Sequence, residues 1–559
     1  MDGPGLRCGI RSVLIMLQSC LKSSANSERM VVVKSIQTLL LSVICASSAA
    51  VCVGETWPQA AGPDGAWTTQ TDHRVPTHWS GSSGRNISWT TTLDEGGQSG
   101  IAVFDERLFL TINQPLQQGT AVKDATGTDI VGVCVDAATG RKLWQIELPG
   151  TKSMPHSGLF SDNTSPTPVT DGRHVWFVNA GGRIVCCTVE GKQIWSRGFE
   201  ARTRHNAKNC EPMLYGDWLM YVAMRDEDDS ARRPMLAKKG KRESDAGGWP
   251  WTFVRAWNKS TGQPAWVAED GTSIHNTPTC GMAGGRPVVF HGRGGGHRPP
   301  EEPYGFSLTS IDPSAPGKTM WRKDINSGMA FFVTNFDDRF AYCFDTGSLV
   351  VLDIESGEHH RTISLFRQVD VRSWDASKKR HVLHADTEFA PPGKKVRSYP
   401  TNQTNIVVGK HCLFMSHEGH MIGRANTETG RVEYLQVPIQ AVRSRDGSEQ
   451  LLWDRHVPAD TKNSRGMDTA ADRRAKGDGW GHVTAASPIA VNSLVYFSTM
   501  LGTVYVIDAS AEQLDSAALV SVNDLGPAGK TWSLSSLSYA DGRLYHRGLK
   551  RLVCIEDTP

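Results

Sequence analysis

The sequence predicts an all-β protein, an eight-bladed β-propeller of four-stranded antiparallel blades. Three observations predict this fold. One hairpin unit recurs along the 559-residue chain, one copy shows all four strands of a blade, and an unpaired strand near the N-terminus can complete the last blade. A unit of about forty residues is too small to bury its own apolar face, so such units are expected to stack on one another.

The recurring unit is a β-branched run that ends in Asp or Asn, followed by x-x-Thr/Ser-Gly and a short strand with an aromatic residue. The clearest copies are VGVCVDAATGRKLW, FVRAWNKSTGQPAW and MIGRANTETGRVEY, which begin at Val131, Phe253 and Met421. The Asp or Asn can accept backbone hydrogen bonds in an Asx turn, and the Gly supplies the positive φ of a tight hairpin. A fourth copy, LVVLDIESGEHHR from Leu349, keeps the turn but lacks the aromatic residue.

Aromatic residues stand four positions after a turn Gly, on one side of a short strand. An aromatic side chain there can bury a large apolar area against the neighbouring blade, so we predict structural roles. A functional role is the alternative. The blade aromatics, together with one in the N-terminal strand, are Trp89, Trp144, Trp195, Trp266, Trp321 and Tyr434.

The segment from Ser165 to Trp195 shows one complete blade, with four strands joined by Asp-Gly, Gly-Gly and Gly turns. The last copy stops before its fourth strand. We predict that NISWTTTL, from Asn86 to Leu93, completes it and closes the ring, which removes free sheet edges. The other copies begin near Gly100, Asn209, His275, Phe331, Asn402, Ala485 and Trp532.

These units resemble the PQQ-type β-propeller repeat of quinoprotein alcohol dehydrogenases and of the lipoprotein that assists outer-membrane protein assembly. The opening WPQAAGPDGAW, from Trp57, also resembles the start of exported, non-quinone propellers of planctomycete-like bacteria. The resemblance extends from Trp57 to Pro559 and implies the fold. It implies no single function, because propellers serve both as enzymes and as binding modules.

Composition and the N-terminus restrict the class of protein. A net charge of +2 with 21% charged residues argues against a protein that binds nucleic acid through a basic field. The segment from Met30, MVVVKSIQTLLLSVICASSAA, is typical of a secretory signal, and Met30 fits as the translation start. We therefore predict a leader over 1–54 and a propeller over 55–559. We expect an exported monomer, periplasmic or secreted, with no membrane span after the leader.

Long segments of this chain are predicted to gather at one end of the ring. Second-to-third turns and blade-to-blade connections share an end, and binding sites favour such loops. The alternative is that insertions accumulate where they do no harm. The long turns run from Gln114 to Asp129, Arg225 to Pro250 and His291 to Gly305, and the long connections from Thr151 to Thr164, Arg367 to Pro400 and Pro458 to His482.

Polar and aromatic side chains near these segments are the candidate ligand-binding residues of the channel mouth. Each one could instead be an ordinary hydrogen-bonding loop residue. They are His156, Asp162, Asn163, His205, Asn206, Glu211, His275, Asn276, His291, Arg293, His297, Asn402, Trp480 and His482.

Two histidine pairs suggest a metal site as a separate hypothesis. His291 precedes His297 by six residues, and His417 precedes His420 by three in a Gly-containing turn. Imidazoles at such spacing can bind Zn²⁺ or Cu²⁺.

Three functions are compatible with the sequence. The family resemblance allows a PQQ-dependent oxidoreductase with an Asp base, Ca²⁺ held by Glu and Asn, and in several members an adjacent-cysteine disulfide. Cys186 and Cys187 are adjacent but lie in a predicted strand, where their side chains face opposite sides. No C-x-x-C-H haem motif occurs.

We favour a binding scaffold over an enzyme. The predicted partner is an envelope protein, a peptide or a glycan, and not nucleic acid. No cofactor is predicted and no catalytic residue is assigned. PQQ with Ca²⁺ and the histidine metal site stay as alternatives.

Overall fold

The computed structural model describes residues within 55–557. The described part contains β-strands and no helix, so it holds no helix that could cross a membrane. The described ranges are 55–115, 129–151, 162–201, 210–224, 252–273, 276–293, 305–325, 334–345, 347–389, 405–416, 420–462, 466, 468 and 486–557.

Eight antiparallel sheets follow one another along the chain, which confirms the predicted eight-bladed propeller. Blade 1 contains Ala102–Phe104, Arg107–Asn113, Ile130–Asp136 and Lys142–Leu148. Blade 2 contains Val169–Thr170, His174–Asn179, Arg183–Thr188 and Gln193–Gly198. Blade 3 contains Met213–Tyr215, Trp218–Met224, Thr252–Asn258 and Pro264–Val267. Blade 4 contains Thr279–Ala283, Arg286–Arg293, Gly305–Ser310 and Thr319–Asp324.

The second half of the chain supplies the other four blades. Blade 5 contains Asn335–Phe336, Phe340–Phe344, Ser348–Asp353 and His359–Ser364. Blade 6 contains Asn405–Val408, His411–Met415, Met421–Asn426 and Val432–Gln436. Blade 7 contains Ile489–Val491, Leu494–Ser498, Thr503–Asp508 and Leu519–Asp524. Blade 8 contains Ser538–Ala540, Arg543–Arg547 and Arg551–Glu556, with Ile87–Thr92 as its fourth strand.

The ring closes as predicted. Ile87–Thr92 pairs antiparallel with Arg551–Glu556, and Trp89 lies opposite Cys554. A strand from the start of the propeller therefore completes the blade formed by its end. Closure leaves every blade packed between two neighbours, and the outermost strands stay as the short edges of the blades.

The Asx–Gly turns also form as predicted. Asp136 Oδ1 accepts hydrogen bonds from the N–H and the hydroxyl of Thr139, at 2.8 and 2.7 Å. Asn258 Oδ1 accepts the N–H groups of Ser260 and Thr261, at 3.1 and 2.9 Å. The φ values are 70° at Gly140, 69° at Gly262, 70° at Gly357 and 82° at Gly430.

The blade tryptophans join each blade to the next. The indole N–H of a fourth-strand Trp donates to a carbonyl in the third-to-fourth turn of the following blade. The pairs are Trp89 to Ala137 at 3.0 Å, Trp144 to Val189 at 3.0 Å, Trp195 to Lys259 at 3.0 Å and Trp321 to Ile354 at 2.7 Å. The predicted structural role is therefore seen as a repeated contact between blades.

Blades 3, 5 and 6 depart from this pattern. Trp266 lies close to the blade 4 turn at Gly317, but its buried indole N–H has no partner among the described residues. Blade 5 has Arg361 where the others have an aromatic residue, and its guanidinium donates to the carbonyls of Thr427 and Glu428 in the blade 6 turn. Tyr434 of blade 6 donates its hydroxyl to Leu365 O at 2.8 Å.

The structure adds strands that the sequence did not predict. The predicted connection from Arg367 to Pro400 contains a hairpin of Val369–Asp375 and Arg380–Thr387, which extends blade 6 to six strands. A second hairpin, Gln440–Arg443 with Glu449–Leu452, follows blade 6. Thr68–Thr69 adds a parallel strand to the inner edge of blade 7.

Candidate functional site

The strand order decides which residues share an end of the ring. Because strands within a blade alternate in direction, second-to-third turns lie at the same end as the blade-to-blade connections. We call this end the connection end. The last residues of second strands mark it, and in five blades they are polar and buried: Asn113, Asn179, Arg293, Ser498 and Arg547.

Six of the candidate ligand-binding residues are described. Four of them, Asp162, Asn163, Glu211 and Asn276, belong to contacts at this end. Asp162 accepts hydrogen bonds from the N–H and hydroxyl of Thr164, at 2.8 and 2.5 Å. The carbonyl of Asn163 accepts the N–H of Ala180 at 3.1 Å. Asn276 Oδ1 accepts the N–H of Gly292 at 2.8 Å, which ties a blade connection to a second strand. Their part in ligand binding stays a prediction.

Glu211, the fourth of these residues, joins blades 2 and 3. Its carboxylate accepts the N–H of Thr167 at 2.7 Å. Burial raises the pKa of Glu211 to about 7, and the hydrogen bonds from Thr167 oppose that rise. The carboxyl group therefore keeps its proton to a higher pH than an exposed glutamate does.

The sequence analysis placed His291 and Arg293 in a long second-to-third turn, and this placement was wrong. Both belong to the strand Arg286–Arg293, so the predicted insertion begins after Arg293. The His291 ring is fully buried, with Nδ1 3.1 Å from the hydroxyl of Thr272 and Nε2 2.9 Å from that of Thr309. Burial lowers the pKa of His291 to about 4, so the ring is neutral at pH 7.

Arg293 forms a buried ion pair at the end of the same strand. Its Nε donates to Asp270 Oδ2 at 2.8 Å, and its Nη1 contacts Asp324. Ser307 donates to the same Asp270 oxygen at 2.5 Å. A guanidinium held in this way positions blade 4 and its connection from blade 3.

Arg547 is a connection-end residue that the sequence analysis missed. It is fully buried, and it donates to Ser99 O at 3.2 Å and to Thr111 O at 3.0 Å. Burial lowers the pKa of Arg547 to about 9, while the Asp162 carboxylate raises it. Arg547 therefore joins blade 8 to blade 1.

Of the four histidines in the predicted metal site, His291 and His420 are described. His297 and His417 lie outside the described residues, as do His156, His205, Asn206, His275, Asn402, Trp480 and His482. His420 is described, and burial lowers its pKa to about 4. Among the described residues one other group, Glu55, His73 and Asp541, brings three potential ligand atoms together. That group is largely exposed and lies by the first-to-second turn of blade 8, away from the connection end.

The adjacent cysteines do not form the pair that a quinone site would use. Cys186 and Cys187 lie in the strand Arg183–Thr188, and both are buried free thiols. Cys186 packs in the core between blades 2 and 3, and Cys187 in the core between blades 1 and 2. Since the two thiols point into different cores, they do not fit an adjacent-cysteine disulfide against a cofactor.

The two added hairpins carry a partly exposed aromatic cluster of Trp374, His381 and Trp453. The indoles of Trp374 and Trp453 stack with centroids 4.1 Å apart and planes 4° apart. The His381 ring meets both edge-on, at 5.4 and 5.8 Å. Its Nε2 lies 2.8 Å from Gln436 O, at the end of the fourth strand of blade 6. The cluster is therefore next to the connection end.

A buried ion network holds the first hairpin on the ring. Arg372 lies 3.4 Å from Glu433 of blade 6 and donates to Gln513 Oε1 of blade 7 at 2.6 Å. Glu433 also accepts two hydrogen bonds from the fully buried Arg424, at 3.1 and 2.6 Å. Because these charges are buried and paired, the hairpin is fixed to two blades.

Among the described residues, no strand pairs with the outer side of Arg380–Thr387, so this strand of the hairpin is a free sheet edge. It is the terminal strand of the six-stranded sheet and has eight residues, most of them exposed. Leu383, on this strand, is 50% exposed and offers an apolar contact at the edge. Along such an edge, backbone N–H and C=O groups are available to a further strand.

Comparison with known proteins supports the repeat type. Residues 127–298 match a family model described as outer membrane protein assembly factor BamB. The matched repeats are of the PQQ-like propeller type. This PQQ-like match spans the end of blade 1, blades 2 and 3 and much of blade 4, where the sequence had suggested it. A search of curated proteins finds no match.

Two solved structures resemble this chain over most of its length. BamB from Moraxella catarrhalis is 10% identical, with a TM-score of 0.42, over 84% of this chain and 98% of that chain. Quinohemoprotein alcohol dehydrogenase from Comamonas testosteroni is 11% identical, with a TM-score of 0.46, over 89% and 80%. Both TM-scores lie below 0.5, so neither likeness assigns a property to this chain.

Proposed function

We propose that this PQQ-like propeller is an exported binding scaffold that holds an extended segment of a partner protein. The segment would pair with the edge strand Arg380–Thr387 and contact the aromatic cluster beside it. The observation that carries the proposal is this open edge, eight residues long, with a half-exposed Leu383. Addition of a strand to an exposed edge is a common mode of peptide recognition.

The chemistry of the edge indicates the kind of segment that fits. Backbone hydrogen bonds give affinity without regard to sequence, whereas side-chain contacts give preference. Leu383 and the partly exposed indole of Trp453 favour an apolar or aromatic residue in the partner. The hairpin tip carries three cationic residues, Lys378, Lys379 and Arg380. They favour an acidic residue at one end of the bound segment.

Rigidity of the edge supports binding over catalysis as its role. The hairpin is tied to blades 6 and 7 by Arg372, so little entropy is lost when a strand adds to it. The match to a family described as an outer membrane protein assembly factor also supports a protein partner and an envelope location.

A peptide selection tests the proposal. Peptides that bind the folded protein would be selected from a random library. The dissociation constants of the selected peptides would then be compared between wild type and Leu383→Asp. Loss of a buried leucine contact of about 1.5–3 kcal/mol predicts binding weaker by about ten- to hundredfold. Hydrogen exchange should slow at Arg380–Thr387 when peptide binds.

A matched control is available on another outer strand. Ile194 of blade 2 is 48% exposed and far from the hairpin in sequence, so Ile194→Asp should leave peptide binding unchanged. The proposal fails if no peptide is selected, if both variants bind equally well, or if protection appears elsewhere on the ring.

A further inference from the structure

A cleft at the junction of blades 7 and 8 has features of a small-ligand site. It measures about 220 Å³ and lies between the connection that follows blade 7 and the second-to-third turn of blade 8. Its walls include the buried side chains of Leu525, Trp532, Leu549 and Val553. The volume of the cleft exceeds the roughly 150 Å³ that admits a benzene-sized molecule.

His546 lines this cleft and has an unused polar atom. The residue is 1% exposed, and its Nε2 has no hydrogen-bond partner in the part of the chain that the structure describes. Burial, with the nearby Arg547 charge, lowers the pKa of His546 to about 3, so the ring is neutral at pH 7. A buried nitrogen without a partner costs about 1–3 kcal/mol, which a ligand atom could recover.

The cleft also has an excess of positive charge. Lys530, Lys550 and Arg551 line it, against one carboxylate, Asp460, whose Oδ2 lies 3.5 Å from Lys550 Nζ. Lys530 and Arg551 are exposed, and no ion pair of either is seen among the described residues. The apolar wall therefore meets a cationic rim.

From these features we infer that the cleft binds a small organic anion, with its apolar body against Trp532 and its carboxylate or phosphate group at the cationic rim. The Nε2 atom of His546 contacts the ligand at the cleft wall. This site is separate from the edge strand of blade 6, so it stands or falls independently of the proposed function.

Small aromatic probes test the inference by calorimetric titration. Benzoate represents a carboxylate ligand and phenyl phosphate a phosphate ligand, and whichever binds more tightly identifies the group. Benzamide has the shape of benzoate without its charge, and we expect it to bind at least about tenfold more weakly. Failure of both anions to bind at about 10 mM would overturn the inference.

Variants locate the binding. The double variant Lys530→Gln/Arg551→Gln changes exposed residues and should weaken the better anion by about tenfold. Lys192→Gln, an exposed lysine on blade 2, is the control and should change nothing. Equal affinity in the double variant and the control would place the anion elsewhere and contradict the inference.

His546→Phe separates the buried nitrogen from the charges. Phe fills a similar volume and removes the unpartnered atom, so the variant should fold at least as well as wild type. It should also bind the anion about tenfold more weakly, because one hydrogen bond to the ligand is lost. Unchanged affinity would mean that Nε2 meets only water, which would remove this residue from the proposed site.

Discussion

At the residue scale, the turn glycines serve two purposes that the sequence could not separate. Their positive φ was predicted from the turn motif. The structure adds that Gly262 lies against the indole of Trp195, since a Cβ there would come within 2.6 Å of it. Gly430 has the same turn and a φ of 82°, but nothing within 4 Å, because Arg361 replaces the tryptophan in the preceding blade.

This difference gives a prediction with a built-in control. Gly430→Ala should destabilise the fold by about 1–2 kcal/mol, the cost of a left-handed backbone for an L-residue. Gly262→Ala should cost about 1–3 kcal/mol more, because the methyl group also displaces Trp195. Urea unfolding of both variants measures the two values, and equal losses would show that the indole contact is unimportant.

The histidines illustrate what a single residue does not reveal. His291 looked like part of a glycine-rich loop, because His-Gly-Arg-Gly-Gly-Gly follows an apolar strand. Its strand continues two residues further, and two threonine hydroxyls from other segments occupy both ring nitrogens. Those threonines are 19 residues before and 18 after His291, so no local pattern shows them.

At the element scale, the blade-to-blade contact is the repeating feature of the fold. The strand that carries a tryptophan belongs to one blade, and the turn that accepts its N–H belongs to the next. The sequence analysis predicted that these aromatics bury surface between blades, and the hydrogen bonds confirm it for Trp89, Trp144, Trp195 and Trp321. It did not predict that the third-to-fourth turn of the next blade accepts the indole hydrogen bond.

Removing one such contact should destabilise the fold by a limited amount. Trp195 is only partly buried, so Trp195→Ala should cost about 2–3 kcal/mol, less than the about 3–5 kcal/mol of a fully buried tryptophan. Chemical denaturation provides the measurement. Ile194→Ala, next to it and 48% exposed, should cost less than about 0.5 kcal/mol. A loss as large for Ile194→Ala would argue against the blade contact as the cause.

At the scale of the whole molecule, buried histidines make stability depend on pH. Burial lowers the pKa from 6.5 to about 4 for His291 and His420 and to about 3 for His546. Between pH 4 and 6.5 the unfolded chain therefore binds more protons than the folded protein, and stability rises with pH in this window. Glu211 acts in the opposite direction between 4.5 and about 7, because its folded pKa is raised.

Three histidines against one glutamate give a net loss of stability on acidification. Each histidine contributes up to about 1.4 kcal/mol per pH unit. The free energy of unfolding, measured in urea at pH 6.5, 5.5 and 4.5, should fall along that series. Glu211→Gln should make the fall steeper, because it removes the opposing group. A flat profile in wild type would contradict the lowered pKa values.

The repeat pattern by itself determined the ring of eight sheets, the position of each blade and the closing strand. Turn chemistry and strand alternation are local properties, and a closed ring is the arrangement that buries every repeat. The sequence also identified the end where the connections gather.

Only the tertiary structure decided which polar residues join blades. It engages the side chains of Glu211 and Asn276 in contacts that reach across connections, and it buries Arg547 between blades 8 and 1. Part of a predicted connection also forms an edge hairpin in the structure. Its inner strand, Val369–Asp375, pairs with residues some sixty positions later in the chain. Such pairings depend on distances through space, which a pattern of neighbours along the chain does not contain.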